Sequence, residues 1–411
     1  MPIIKALQHL FSSVERGYDP RRKGGFQTVG VTEELTGTED LRALEDAAFY
    51  ALSRERRAAR DFPVKQTIFR LPSGRFALGR TVDWGTDSSG REGNYLTYHL
   101  VFSRDDLLTA GADPFAILEA ARLGEKMAEG SFDMSPRALP PLAVEIAPSG
   151  IDFHGFEGIK PELLANLTAA AVDGGEKTVL LIGDETLAEG VLRGVYASMA
   201  TEERLRLTFA THFYESHHLR SFFTLATVRS REEVPSRREN YLIFDLGDGE
   251  FPRISPASAY AGWLADCLHS RRWEEIGVLN AFLDGVRNGR GEAGKDALPI
   301  GTKACAALWE RAGEKVVQAL LGDVGLTVEF LRKLSSSRPL ADALLAAASP
   351  AKLCGPNATS DAAQACLAAL RSAASGKAWR EWVKKWRDDL ALGSFASDTQ
   401  TWWQRWKRRN E

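Results

Sequence analysis

At 411 residues the chain is longer than one ordinary core, and with 44% hydrophobic residues, 26% charged residues and a formal charge of −3 it is expected to fold as two or three domains without a chain-wide nucleic-acid footprint. No apolar run approaches the roughly 18 residues that suggest a membrane span, and the N-terminal apolar patch is broken by His9, Glu15 and Arg16 with no cleavage pattern after it, so secretion is not expected. Cys267, Cys305, Cys354 and Cys366 show neither CxxC spacing nor a paired framework; this excludes zinc-ribbon and thioredoxin readings and fits free thiols in a reducing cytoplasm.

In chain order, Arg21, Arg22 and Lys23 form a basic cluster before a strand expected over 26–31. The cluster is no Walker A loop, because GxxxxGK[ST] is absent and Gly24-Gly25 precede the strand; a solvated loop is the plainer reading. Thr38 with Glu39 and Asp40 marks a helix start, and Leu41, Leu44, Ala48, Ala51 and Leu52 continue helical spacing to the basic end SRERRAAR. A strand over 64–71 then leads into the stretch around which the chain is organised, RFALGRTVDWGTDSSGREGNYLTYHLVFS over 75–103. Its two arms alternate polar and apolar residues as a hairpin with one wet face, which sets His99 opposite the apolar set. Its tip carries Asp87, Arg91 and Glu92 in turn chemistry that matches no catalytic motif. Arg80, Asp83, Trp84, Arg91, Asn94 and His99 are the candidate binding residues of this hairpin.

Ser103 and Asp113-Pro114 are helix starts, and prolines 136, 140, 141, 148 and 161 make 130–161 an extended connection. Helix over 161–172, the apolar strand KTVLLI over 177–182, helix over 184–199 and strand over 205–214 fit a crossover with parallel pairing. The turn Gly183-Asp184-Glu185 lacks the dinucleotide fingerprint and would set carboxylates against a phosphate, so no nucleotide is expected there. His212, His217 and His218 sit on what reads as two strands joined at 215–220; adjacent His217 and His218 cannot share a metal without a sharp bend, so no metal or cofactor is expected. Residues 240–246 form the last strand.

From Ser255 onward helical periodicity replaces alternation, with helices expected around 256–268, 273–283, 302–321, 325–335, 338–348, 360–374 and 377–390. Six of the ten tryptophans, Trp379, Trp382, Trp386, Trp402, Trp403 and Trp406, fall at the C-terminal end. The first three share one helix face, which is either a packed aromatic face or a docking face for a protein partner. The expected fold is therefore an α+β N-terminal half, with mixed or antiparallel sheets and packed helices, followed by an all-helical C-terminal half. Its parts are an α+β subdomain 1–150, a second α+β subdomain 151–252, a helical domain 253–348 and a Trp-rich helical region 349–411.

The strings GGFQTVGVTEEL, GRTVDWGTDSSGREGNYLTYHLVFSRDDL, RLRLTFATHF and ENYLIFDLGDG, followed by a helical half, resemble the GTPase-associated proteins of bacterial GTPase-centred conflict systems, in order over most of residues 10 to about 285. That resemblance implies partner GTPases and other subunits of an anti-phage defence system, and it carries no catalytic residues to transfer. Three readings stand open. The leading one is a cytoplasmic, non-enzymatic adaptor that presents the 83–99 loop and docks partners through aromatic faces. The second is a hydrolase using Asp83, Asp87, Glu92, His99 or His212. The third is a nucleic-acid-binding subunit using Arg21, Arg22, Lys23, Lys407, Arg408 and Arg409, which the interspersed Glu381, Asp388, Asp389 and Asp398 disfavour.

Overall fold

The computed structural model describes residues 1–15, 24–87, 90–128, 137–147, 153–287, 303–304, 306–308, 310–311, 338–347 and 361–391. The basic residues Arg21, Arg22, Lys23, Lys407, Arg408 and Arg409, with Trp402, Trp403 and Trp406, lie outside the described residues, as does most of the helix expected around 302–321 and all of that expected at 325–335. Two compact units are found, one of Met1–Pro256 with Leu264–Trp273, the other of Ala257–Trp263 with the described residues from Glu274 onward.

The first unit is built on one mixed sheet. Strands β1 (Ile3–Val14), β2 (Gly25–Val31), β3 (Lys65–Arg70), β4 (Phe76–Asp83), β5 (Tyr95–Phe102), β6 (Arg137–Ala138), β7 (Leu142–Glu145), β8 (Thr178–Ile182), β9 (Phe209–Ala210), β10 (Leu225–Val228) and β11 (Tyr241–Asp245) belong to it. Ten of them run in the order β11-β8-β10-β9-β3-β4-β5-β1-β2-β6, and β7 pairs with β1. The expected hairpin is β4 and β5, antiparallel from Phe76↔Phe102 to Asp83↔Tyr95. The crossover expected from 177–182 through the helix to 205–214 places β8 and β9 parallel in one sheet but not side by side, because β10 lies between them and pairs with both; β8 is also parallel to β11. The two halves join where β9 pairs antiparallel with β3 through Thr67↔Ala210 and Ile68↔Phe209. A core containing Leu44, Phe69, Val101, Leu180, Phe213 and Tyr241 runs across that join, and each such side chain contributes about 1.5–3 kcal/mol when fully buried.

Helix starts follow the sequence chemistry. Helix α1 (Glu39–Ala47) is capped by Thr38, whose hydroxyl accepts from Leu41 N at 3.2 Å, and α2 (Arg54–Ala59) by Ser53. Ser103 caps α3 (Arg104–Thr109), and Asp113 accepts from Phe115 and Ala116 N to cap α4 (Pro114–Ala120). After α5 (Leu123–Ala128) and α6 (Pro161–Asp173) comes α7 (Glu185–Ala197), capped by Asp184, then α8 (Thr201–Arg204). Each cap is worth about 1 kcal/mol.

Three expectations are corrected. The hairpin has no wet face on β5, because all eight residues of that strand are buried. Segment 47–52 covers it, and its polar residues find partners inside: Thr97 donates to Ala48 O and hydrogen-bonds Thr81, while Lys65 on β3 donates to Phe49 O at 2.6 Å. The helix begun at Thr38 does not continue into SRERRAAR. It stops at Ala47, freeing the Ala47, Ala48 and Phe49 carbonyls for those bonds, and α2 starts anew. Finally, the strand expected over 205–214 shrinks to Phe209–Ala210, and it runs parallel to β10 with a 3-10 helix, His217–Phe222, between them.

Beyond residue 256 every described element is a helix: α9 (Ala259–His269), α10 (Trp273–Arg287), α11 (Arg338–Ala347), α12 (Asp361–Ala373) and α13 (Gly376–Ala391). In the second unit, Leu344, Leu367, Leu370 and Trp382 are buried, and Ser375 N donates to Asp342 on α11 at 2.7 Å. Trp379 is half-buried and stacks on Trp382 with ring centroids 5.5 Å apart. The side chain of Trp386 lies outside the described set. Among the described residues no helix is long and apolar enough to cross a membrane.

Candidate functional site: a mixed-charge groove beside the hairpin

The six hairpin residues singled out from the sequence do not converge. Adjacent strand residues point to opposite faces, so Arg80, paired with Tyr98, projects from the face opposite that of Gly79 and His99. The tip organises itself: Trp84 N donates to Asn94 O, Asp83 Oδ2 accepts from Gly85 N, and Asp87 accepts from both the backbone N and Nε of Arg91. Asn94 is buried and ties the tip to β1, accepting from Ser12 Oγ and Ser13 N at 3.3 Å. Burial, with Glu92 adding to it, raises the pKa of the Asp83 carboxyl beside a small 190 Å³ cavity that it shares with Arg57, Arg60 and Phe62.

Arg80 instead enters a groove of about 740 Å³ formed with α4, α5 and α7. Its neighbours are joined to one another by ion pairs and hydrogen bonds. Arg193 donates to Glu119 at 2.7 Å and to Glu189 at 2.8 Å, and its guanidinium lies 4.5 Å above the Phe115 ring. Gln66 donates to the other oxygen of Glu189 at 3.2 Å. Arg80 has no such partner among the described residues: its Nε is buried without a hydrogen bond. Burial lowers the pKa of this guanidinium, with only the field of Glu189 acting in the opposite sense. Sequence reasoning found Arg80 but missed Gln66, Glu119, Glu189 and Arg193. The Glu189/Arg193 spacing of four on α7 was the one local signal, and nothing local says that this helix face meets β3 and β4.

A second charged cluster lies at the carboxyl ends of the parallel strands, the place where open α/β sheets commonly take ligands. Part of that region is taken up by ion pairs, while a cavity of about 690 Å³ opens beside Ile182, Arg231 and Asp245. Arg56, 4% exposed, reaches Glu185 just after β8 at 2.7 Å and Glu233 just after β10 at 2.7 Å, with Asp61 at 3.4 Å. Arg229 also binds Asp61. These carboxylates raise the pKa of the Arg56 guanidinium against the opposing effect of burial.

The histidines are structural neighbours of the core. His9 and His99 are wholly buried and stacked, with Nδ1 atoms 3.1 Å apart. Thr28 donates its hydroxyl proton to Glu45 at 2.6 Å, so it accepts from His9 Nε2 at 3.0 Å. His9 Nδ1 is then the acceptor, His99 Nδ1–H the donor, and His99 Nε2 a bare acceptor with no partner. Gly79 leaves room for this ring: a Cβ there would lie 2.5 Å from both His99 Cδ2 and Thr67 Oγ1. His212 is buried with Nε2 2.6 Å from Ala51 O, whereas His217 and His218 are exposed on the 3-10 helix. Among the described residues no group of three His, Cys, Asp or Glu side chains is placed to hold a metal ion.

Burial pushes His9 down to about 3 and His212 to about 4, and it lowers His99 well below its ordinary value. Because these folded-state values lie below the unfolded value near 6.5, unfolding takes up protons as pH falls through that window. The stability is complete above about pH 6.5 and is lost progressively toward pH 3, at about 1.4 kcal/mol per pH unit for each histidine. The urea midpoint is therefore expected to drop between pH 7 and pH 5. An unchanged midpoint would mean that the three rings are already protonated or solvated in the fold.

In comparison with known proteins, residues 5–143 match the family model described as GTPase-associated protein 1, N-terminal domain type 2. Residues 152–248 match GTPase-associated protein 1, middle domain, and the two matches together span more than half of the chain. No curated protein matches it.

Proposed function

Because the chain belongs to the GTPase-associated protein 1 family, we propose that it is a non-enzymatic adaptor that binds a partner GTPase and other protein subunits of a bacterial defence system. The observation that carries this reading is the Arg80 groove, to which β3, β4, α4 and α5 of the N-terminal family domain and α7 of the middle domain all contribute. A polar groove walled by two domains suits recognition of a protein surface. We retain the four-part division of the chain at about 150, 252 and 348, and we assign Trp379 with the other C-terminal tryptophans to a second docking face.

The hydrolase alternative has less support, because general acid–base work needs its groups within hydrogen-bond reach of one another. His99 hydrogen-bonds His9 in the interior, Asp87 is held by Arg91, and His212 is held by Ala51.

Affinity purification of the intact chain from its native host, at moderate and at high salt, tests the adaptor. A GTPase is expected at both salts, and Trp379→Ala is expected to reduce its yield while leaving the fold intact. Recovery of nucleic acid that is lost steeply with salt, with no GTPase, would instead favour the nucleic-acid reading.

A further inference from the structure

We propose that the Arg80 groove is a socket for a single carboxylate side chain of the partner protein, flanked on the partner by basic residues. The proposal rests on the adaptor reading, since it names what the same groove receives. Three observations lead to it.

First, the other guanidinium groups around the groove are held by carboxylates, and Arg80 is not. Arg193 is matched by Glu119 and Glu189, and Arg56 by Glu185 and Glu233. Among the described residues, Arg80 alone of these three guanidinium groups has no hydrogen-bond partner, and its Nε is buried. A charged donor group left without an acceptor is destabilising, and because Arg80 is only half-buried and lines the groove, an acceptor entering there meets a guanidinium that no carboxylate already holds.

Second, the sign of the walls selects the acceptor. Asp61, Glu119, Glu185 and Glu189 line the groove beside Arg80, Arg122 and Arg193. A nucleotide or free phosphate, with several negative charges, would meet those four carboxylates. One carboxylate with cations on either side would place its charge on Arg80 and its neighbours toward the acidic walls.

Third, the space is there. The groove of about 740 Å³ is sized for several side chains. Gly124 on α5 lies beside the guanidinium, where a Cβ would sit in ordinary contact at 3.5 Å from Arg80 Cζ, so a side chain placed at this position borders the socket.

The test uses the intact chain and follows the Nε–H resonance of Arg80, assigned by its loss in Arg80→Gln. The probes are the blocked tripeptide Lys-Glu-Lys, its Lys-Gln-Lys counterpart, inorganic phosphate and GDP. The Glu peptide is expected to shift the resonance saturably and to bind at least about tenfold more tightly than the Gln peptide. Equal binding of the two peptides, no shift at all, or tighter binding of phosphate or GDP would overturn the proposal. Gly124→Asp sets a carboxylate in the socket from within, so it is expected to abolish the titration and to raise the thermal midpoint. Arg80→Gln is expected to fold at least as stably as the wild type; a marked loss of stability would make Arg80 a structural residue and overturn its assignment. If wild-type chain recovers no GTPase, the adaptor reading fails while the peptide titration still decides the socket. If Arg80→Gln recovers the GTPase undiminished, the socket fails and the adaptor stands.

Discussion

Gly155→Ala is expected to be among the most damaging single changes in the chain, lowering stability by about 3 kcal/mol or more. Gly155 lies in a 3-10 helix, His154–Phe156, that is seated on α7. A Cβ at this position would stand 1.8 Å from the carbonyl oxygen of Gly190 and 2.3 Å from its carbon. Both are backbone atoms of a helix, so no rotamer change relieves the overlap, and the two elements have to part. Gly194, one turn further along α7, receives the Phe156 ring, which a Cβ there would meet at 2.5 Å. Gly158 serves as the control: its φ of +79° favours glycine, but it faces open space, so alanine there pays only backbone strain of about 1 kcal/mol. Urea midpoints of the two variants measure the difference. Equal midpoints would show that the 3-10 helix is not seated on α7 in solution.

The second large effect is expected at Arg56. Arg56→Met is expected to destabilise the first unit by about 3–5 kcal/mol, because it leaves Glu233 buried without its cation. Glu233 is only 8% exposed and also accepts from the backbone of Arg229. The companion variant Glu233→Leu, combined with Arg56→Met, replaces most of the pair by apolar volume and is expected to recover much of the loss. A double-mutant cycle reads the coupling directly; single variants whose losses simply add would show that the pair contributes no interaction of its own.

Much of the framework was legible because its signals are local. Thr38, Ser103, Asp113 and Asp184 each sit immediately before a helix and cap it as their chemistry suggests. The run Thr178–Ile182 is uniformly apolar, as a strand buried on both faces requires. The misread elements depend on partners far away in sequence. Thr97 and His99 look like a solvent face, yet one donates to a carbonyl in segment 47–52 and the other hydrogen-bonds, through Nδ1, a histidine 90 residues away. The break after Ala47 has no proline or glycine to announce it; the carbonyls it frees serve Lys65 and Thr97. The groove was legible only at Arg80. That Arg193 would be neutralised and Arg80 would not is a property of the packed helices, which neither residue's own sequence neighbourhood contains.

The two-residue strand β9 has a consequence for how such a chain can change over generations. Among the described residues, strand pairing between the antiparallel and parallel halves of the sheet consists of Thr67↔Ala210 and Ile68↔Phe209, extended by Thr211 N donating to Gln66 O at 2.9 Å and reinforced by Arg56 reaching across to Glu185 and Glu233. Backbone pairing makes almost no demand on side-chain identity, but the apolar cluster of Leu44, Phe69, Val101, Leu180, Phe213 and Tyr241 is shared by both halves. The line that is weakest in main-chain bonds is therefore sealed by side chains, and a half exchanged there has to bring an interior that fits the other's.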